Sequence, residues 1–291
     1  MRVLVTGASG HVGGAIATYL AARGYQVVGL SRRAAAVLGM AEHVSADLAD
    51  PNFVSAVSSA VQPCDAVVHA GACLDKRSTA VDLSRVNAVG TQQLLVLARD
   101  WAVSRVVYIS GVPVIGLPRV HPVTEAHHCE PLTVYHASKL YGEHLVRLMA
   151  EELKTAVTLR LPSPIGPGTP QNRIAQVFVN RACHGLPLGI MGAGLRQQNY
   201  VDVRDVGRAV EAALTRSVQG VFQIIGTTIS NLELAHRCVR LFRSVSTVEF
   251  TGHPDPEEAV VWDLSGERAA AALEYSPSLS LDDSLLSMRA K

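Results

Sequence analysis

The sequence predicts an α/β fold, a doubly wound parallel sheet followed by a small C-terminal α/β unit, and three observations carry that prediction. Short apolar runs recur along the first 161 residues, helical patterns separate them, and a glycine-rich turn joins the first run to the first helix. Apolar runs without polar alternation suit strands buried on both faces. Alternation of such strands with helices marks the doubly wound arrangement.

The strands are expected in "RVLVTG" from Arg2, "QVVGL" from Gln26, "DAVVHAG" from Asp65, "RVVYISG" from Arg105 and "AVTLRL" from Ala156. Helices are expected over 13–24, 89–102 and 135–153. From residue 162 to 173 the run "PSPIGPGTPQNR" carries four prolines and two glycines, which neither a helix nor a central strand tolerates, so a domain seam is expected there. Beyond it a helical stretch (174–184), a helix from Arg204, a strand from Gly220 and a tail of short elements are read.

With 291 residues, 48% of them hydrophobic, the chain can bury a large core. Its net charge of +1 provides no basic field for nucleic acid, so a small-molecule ligand is expected. No apolar run reaches the roughly 18 residues of a membrane span. The five cysteines are odd in number and never form a CxxC pair, which disfavours disulfides and zinc and fits a reducing, cytoplasmic setting. The cluster His121, His127, His128 and Cys129 lies in a loop pattern without paired ligand spacing and is read as solvated surface, with no metal expected.

"LVTGASGHVGGA" sets Gly7, Gly10 and Gly13 three apart between strand and helix. Glycine lets the backbone approach a pyrophosphate, and free amides at the helix start attract its charge. A carboxylate at the end of the second strand would take the ribose hydroxyls of NAD. Here "GLSRR" supplies Ser31, Arg32 and Arg33, so NADP(H) is favoured over NAD(H), although two arginines at a strand end can also be merely solvated. Asp47, after a third strand, suits either the adenine amine or a turn cap.

"YHASK" places Tyr135 and Lys139 four apart, on one helical face. A phenol with an ordinary pKa of about 10 needs help to move protons at neutral pH, and a neighbouring ammonium supplies it.

With these motifs in order, the chain resembles the extended short-chain dehydrogenase/reductases, the NAD(P)-dependent epimerase/dehydratase group. The resemblance is carried by "TGASGHVG" (6–13), "DLAD" (47–50), "HAGA" (69–72), "NAVGTQQLL" (87–95), "YHASK", "LRLPSPIGPG" (159–168) and "NYVDVRDVGRA" (199–209). It implies a Rossmann domain of residues 1–163 plus roughly 199–227, and a substrate domain of 164–198 plus 228–291. It also implies Tyr135 as acid/base, Lys139 as its partner, and Asn87 and Ser110 in the active site. The cofactor would further meet Ser9, His11, Val12, Leu48, Ala70, Gly71, Ala72 and Pro162, and substrate would meet Cys73, Gly111, Val112, Ser163 and Gln198. The helices from Gly90 and Tyr135 are similar to those that pair in homodimers of the family.

The chain departs from the family pattern in ways that bear on substrate. The second of two hydroxyl positions after the fifth strand is Gly111, so either Ser110 turns inward to serve or Tyr135 holds the reacting oxygen alone. Ser163 stands where nucleotide-sugar enzymes often have asparagine, Gln198 where they have a pyrophosphate-clamping arginine, and no arginine precedes Asp263. Arg196 and Arg173 are the nearby substitutes. Cys73 reads equally as a substrate-loop residue or a small buried thiol. Val112 and Pro113 replace the acidic pair of dehydratases, which argues against dehydration. The expected function is hydride transfer between NAD(P)(H) and a carbinol or ketone carbon, by a ketoreductase or a sugar-type epimerase. The alternative is a cofactor-binding sensor or scaffold with weakened chemistry.

Overall fold

The computed structural model describes residues 1–33, 39–74 and 77–289. Six strands come from the N-terminal part: β1 (Arg2–Thr6), β2 (Gln26–Ser31), β3 (Glu42–Ser45), β4 (Ala66–His69), β5 (Arg105–Gly111) and β6 (Thr155–Leu161). They are followed by β7 (Ser163–Ile165), β8 (Leu188–Ile190), β9 (Gln197–Asp202), β10 (Gln219–Gln223), β11 (Thr227–Ser230) and β12 (Val248–Phe250). The helices are α1 (His11–Ala22), α2 (Phe53–Ala60), α3 (Ala80–Ser84), α4 (Gly90–Asp100), α5 (Val134–Leu148), α6 (Ile174–Cys183), α7 (Val203–Thr215), α8 (Asn231–Leu241), α9 (Glu267–Leu273) and α10 (Leu281–Ser287).

The main sheet has the order β10-β6-β5-β4-β1-β2-β3, with every pairing parallel. Strand order reverses between β1 and β4, and the crevice at that switch point is where such sheets bind ligands. Both faces are covered. Val3, Val5, Val68 and Val107 pack with Ile16 of α1 and Val206 and Val210 of α7, while Leu4, Val67 and Val106 pack with Phe53 of α2 and Leu94 of α4. Burial on both faces explains why these strands read as continuous apolar runs.

The chain enters a smaller unit at Ser163. There β9 pairs with β7 and β11 in a three-stranded sheet, β8 pairs with β12, and Phe178, Val179, Leu188, Tyr200, Leu234 and Leu285 form a separate core. At Val203 it returns as α7 to the main layer.

Two helices differ from their sequence expectation. The helix read from residue 89 is preceded by α3 and by a widened π-helical turn over Arg85–Val89. The helix read to residue 153 ends at Leu148, because the chain turns there to bury Leu153 in the core.

Candidate active site

Between β1 and α1, Gly7 takes φ +68°. A Cβ there would stand 2.8 Å from the backbone of Gly71, and one on Gly13 would stand 2.3 Å from the Gly7 carbonyl oxygen. These glycines therefore let the turn, the helix and the segment after β4 come together. The N-cap, Gly10, brings no side chain to the first amides of α1, and Ser9 and Gly10 are exposed beside the half-buried His11 and Val12. Uncapped amides at a helix start are a ready anion site, and the cradle fits a dinucleotide pyrophosphate.

At the end of β2, the Ser31 hydroxyl donates to the Arg33 carbonyl (2.7 Å) and lies 2.8 Å from His43 Nε2. Arg32 and Arg33 are exposed, and their guanidinium groups have no partner among the described residues. Asp47 is exposed and accepts the Ala49 amide (2.9 Å), a turn-capping contact, while Leu48 is buried with its carbonyl accepting from Gln93 (2.9 Å).

A buried hydrogen-bond chain joins the strand ends to Asn87 and, through it, to α5. The Gly71 amide donates to Thr6 Oγ1 (2.9 Å), which lies 2.7 Å from His69 Nδ1. His69 Nε2 lies 2.8 Å from Thr91 Oγ1, whose own proton goes to the Asn87 carbonyl (2.6 Å). With that proton committed, Thr91 can only accept, so His69 carries its proton on Nε2 and accepts the Thr6 hydroxyl at Nδ1. Burial and the Lys139 charge hold its pKa well below the ordinary histidine value, so it stays neutral.

Asn87, on the π-helical turn, accepts the Cys73 amide (2.7 Å) and donates to the Cys73 carbonyl and Ser138 Oγ (each 3.1 Å). Ser138 donates in turn to the Tyr135 carbonyl (2.7 Å). One asparagine thus fixes the segment after Gly71 and Ala72 against the start of α5.

Tyr135 and Lys139 lie one turn apart on α5. Burial pushes the Tyr135 phenol up to about 12, opposed by the charge of Arg173. Burial also pushes Lys139 down to about 7, opposed by Glu143. The Lys139 ammonium lies 4.1 Å from the ring centroid of Tyr108. A phenol lowered by Lys139 is thus not the state of the cofactor-free protein, because desolvation dominates both groups.

Ser110 faces Glu143 inside the protein. It is buried, and its hydroxyl donates to Glu143 Oε1 at 2.6 Å, so its single proton is committed inside the protein. Glu143 also pairs with Arg160 of β6, through Nη2 (2.7 Å) and Nε (3.0 Å). Sequence reading missed this buried pair. Its signal was present in the four-residue ladder Tyr135, Lys139, Glu143 and in a charged residue amid the apolar run of β6.

On the substrate side, Ser163 donates to Gln198 Oε1 (3.3 Å) and Gln198 donates to Asn231 Oδ1 (3.2 Å), a neutral ladder where a phosphate clamp was considered. Arg196 is engaged by Glu257 (2.5 Å) and Asp255 (3.5 Å). Arg173, the N-cap residue of α6, is exposed and has no partner among the described residues, and its charge acts on both Tyr135 and His11. Cys73 is half-buried, 3.3 Å from Ser78 Oγ. Gly111 and Pro162 are half-buried and Val112 is buried. Burial pushes the His136 imidazole below its ordinary value, opposed by the charge of Glu257. His127 braces its loop, accepting the Arg119 amide (3.0 Å) and lying 2.8 Å from the His128 carbonyl. Among the described residues, no group of three or more His, Cys, Asp or Glu side chains could hold a metal ion.

A family model, the NAD dependent epimerase/dehydratase family, matches residues 3–225. The chain belongs to this family. It is 32% identical over 158 residues to the 4-hydroxy-2-methyl-3-oxo-4-farnesyl-3,4-dihydroquinoline-1-oxide ketoreductase of Stigmatella aurantiaca, covering 50% of this chain and 45% of that enzyme. It is 31% identical over 221 residues to the 2-alkyl-3-oxoalkanoate reductase of Stenotrophomonas maltophilia, covering 73% of this chain and 64% of that enzyme. The chain therefore spans less than two thirds of the length of either relative. In fold it is similar to the UDP-glucose 4-epimerase of Thermotoga maritima solved with UDP-glucose, with a TM-score of 0.87, 21% identity, and coverage of 99% of this chain and 97% of that one.

Proposed function

We propose that the protein is an NADP(H)-dependent ketoreductase acting on a small carbonyl compound that carries an anionic group. The observation that carries this reading is the state of the cleft cations: Arg173 has no partner among the described residues, Arg196 is engaged by carboxylates, and Gln198 sits in a neutral ladder. With one free cation among its described residues, the cleft suits a carboxylate or single phosphate better than a nucleotide diphosphate, which draws on several charge-assisted bonds. The S. maltophilia relative is named for an oxoalkanoate, a ketone with a carboxylate beside it.

The dinucleotide, when bound, supplies the hydride. Tyr135, protonated because burial raises its pKa, hands its proton to the carbonyl oxygen as that oxygen gains charge. Lys139, in its charged form, stabilises the phenolate left behind. Arg32 and Arg33 supply the charge for a 2′-phosphate, and the uncapped start of α1 receives the pyrophosphate. The smaller unit, from which α9 is excluded because Ala269 and Leu273 pack in the core of the main layer, supplies the substrate side of the cleft. Purified protein incubated with NADPH and a panel of 3-oxo acids, their esters and UDP-sugars tests the reading: oxidation of NADPH by the acids supports it, and turnover of UDP-sugars alone overturns it.

The missing hydroxyl at Gly111, with Ser110 committed to Glu143, favours a second reading, a dinucleotide-binding sensor. Binding of NADPH without turnover of any carbonyl would support it.

A homodimer through α4 and α5 belongs to the same proposal. Val134, Tyr141 and Leu148 are exposed at seven-residue intervals along α5, near an exposed Val81 and Val89, and an apolar stripe of that spacing suits helix pairing. Light scattering on the eluting protein reads the mass directly.

A further inference from the structure

Lys139 is 4% exposed, and its ammonium meets the face of Tyr108 but makes no hydrogen bond with a described residue. A cation buried in that way tends to shed its proton. The opposing carboxylate, Glu143, stands one turn further along α5 and is gripped from two strands, by Ser110 of β5 at 2.6 Å and by Arg160 of β6 at 2.7 Å. The side chains of Arg160 and Glu143 are 4% and 5% exposed. We propose that Glu143, clamped by Arg160 and Ser110, is a positioning residue that keeps Lys139 charged and in place beside Tyr135. This rests on the hydride-transfer reading of Tyr135 and Lys139 and adds to it the residue that sets their charge state.

The charges around Lys139 support the assignment. Facing it are Tyr108 from β5, His69 from β4 and Glu143 from α5, with Tyr135 one turn earlier on α5 and Arg160 of β6 behind Glu143. His69 is neutral and both tyrosines are pushed above the ordinary phenol value, so Glu143 is the anion of the group. Without it, two cations would share one buried site. Arginine does not give up its proton in proteins, whereas lysine does when buried, so Lys139 would be the one to become neutral. Arg160 also orients the carboxylate: its Nε and Nη2 reach the two carboxylate oxygens at 3.0 and 2.7 Å, and Nη2 also reaches Cys129 Sγ at 3.2 Å.

The sequence holds four lysines, Lys76, Lys139, Lys154 and Lys291, so lysine-selective labelling at Cε yields a small set of NMR signals, with Lys139 assigned by Lys139→Met. In the cofactor-free protein the Lys139 signal is expected to titrate near neutrality. In Glu143→Gln its midpoint is expected to fall by about one pH unit or more, the scale on which a neighbouring opposite charge acts. The basic limb of the turnover profile is expected to move by the same amount. Because Glu143→Gln leaves the buried Arg160 without its counter-ion, Glu143→Gln/Arg160→Met accompanies it, and its midpoint is expected between the other two. A Lys139 midpoint that stays put in both variants overturns the proposal, as does a basic limb that ignores a midpoint that has moved. The NMR arm needs no turnover, so its failure is separable from failure of the ketoreductase reading, which NADPH oxidation tests by itself.

Discussion

The hydroxyl of Ser110 donates to the carboxylate of Glu143 at 2.6 Å across the buried interface of β5 and α5. That contact makes the residue part of the support beneath Lys139. Ser110→Ala is therefore expected to lower turnover by less than about tenfold, short of the 10² to 10³ typical of a lost oxyanion donor. Gly111→Ser is expected to be tolerated, since a Cβ there meets Pro113 Cδ at 3.5 Å and the Leu161 carbonyl at 3.7 Å, ordinary contacts. Steady-state rates of both variants on one accepted ketone check this. A hundredfold loss in Ser110→Ala would return the serine to the chemistry.

Tyr135→Phe is expected to abolish ketone reduction while leaving NADPH affinity within about twofold, because the phenol acts on substrate and not on the dinucleotide. Calorimetry for binding and absorbance for turnover separate the two effects. A variant that keeps most of its activity removes the tyrosine from the mechanism.

The free protein is expected to prefer NADP(H) over NAD(H) by tenfold or more, and Arg32→Ala/Arg33→Ala to erase that preference. A charge-assisted contact contributes roughly 1.5 to 3 kcal/mol, and about 1.4 kcal/mol is a factor of ten in affinity. Calorimetric titrations with both cofactors decide it, and equal or tighter binding of NAD(H) to the wild type contradicts the assignment.

Lys139→Met is expected to be inactive yet more stable than the wild type. The folded-state value of about 7 lies below the ordinary lysine value near 10, so between these limits the unfolded chain holds a proton that the folded chain lacks. Wild-type stability therefore rises with pH through this window, and below pH 7 the full burden of the buried charge is present. The advantage of the methionine is expected to be on the order of a few kcal/mol near pH 6 and to shrink toward pH 10. Denaturation midpoints at pH 6 and pH 9 without cofactor measure it. A methionine variant less stable at pH 6 would mean that Lys139 is not buried as a charge.

Arg173→Gln is expected to reduce kcat/KM for a 3-oxo acid by about ten- to a hundredfold and to spare the matching ester, since the lost contact is with the anion. Equal losses on acid and ester would place Arg173 outside the substrate's anionic subsite.

The layered fold was legible in the chain alone, because apolar runs, helical patterns and the glycine turn at Gly7, Gly10 and Gly13 are local signals whose physics needs no distant partner. That Tyr135 and Lys139 stand one turn apart on a helix was legible for the same reason, as a spacing. Which groups each side chain meets across elements depends on how the packed strands and helices come together. Ser110 and Glu143 are 33 residues apart, and Arg160 reaches Glu143 from another strand. Thr6, His69 and Thr91 form their chain only once β1, β4 and α4 have assembled. The same holds for charge state. Lys139 and Tyr135 depart from their ordinary pKa values chiefly through burial, and burial is a property of the packed protein rather than of any stretch of sequence.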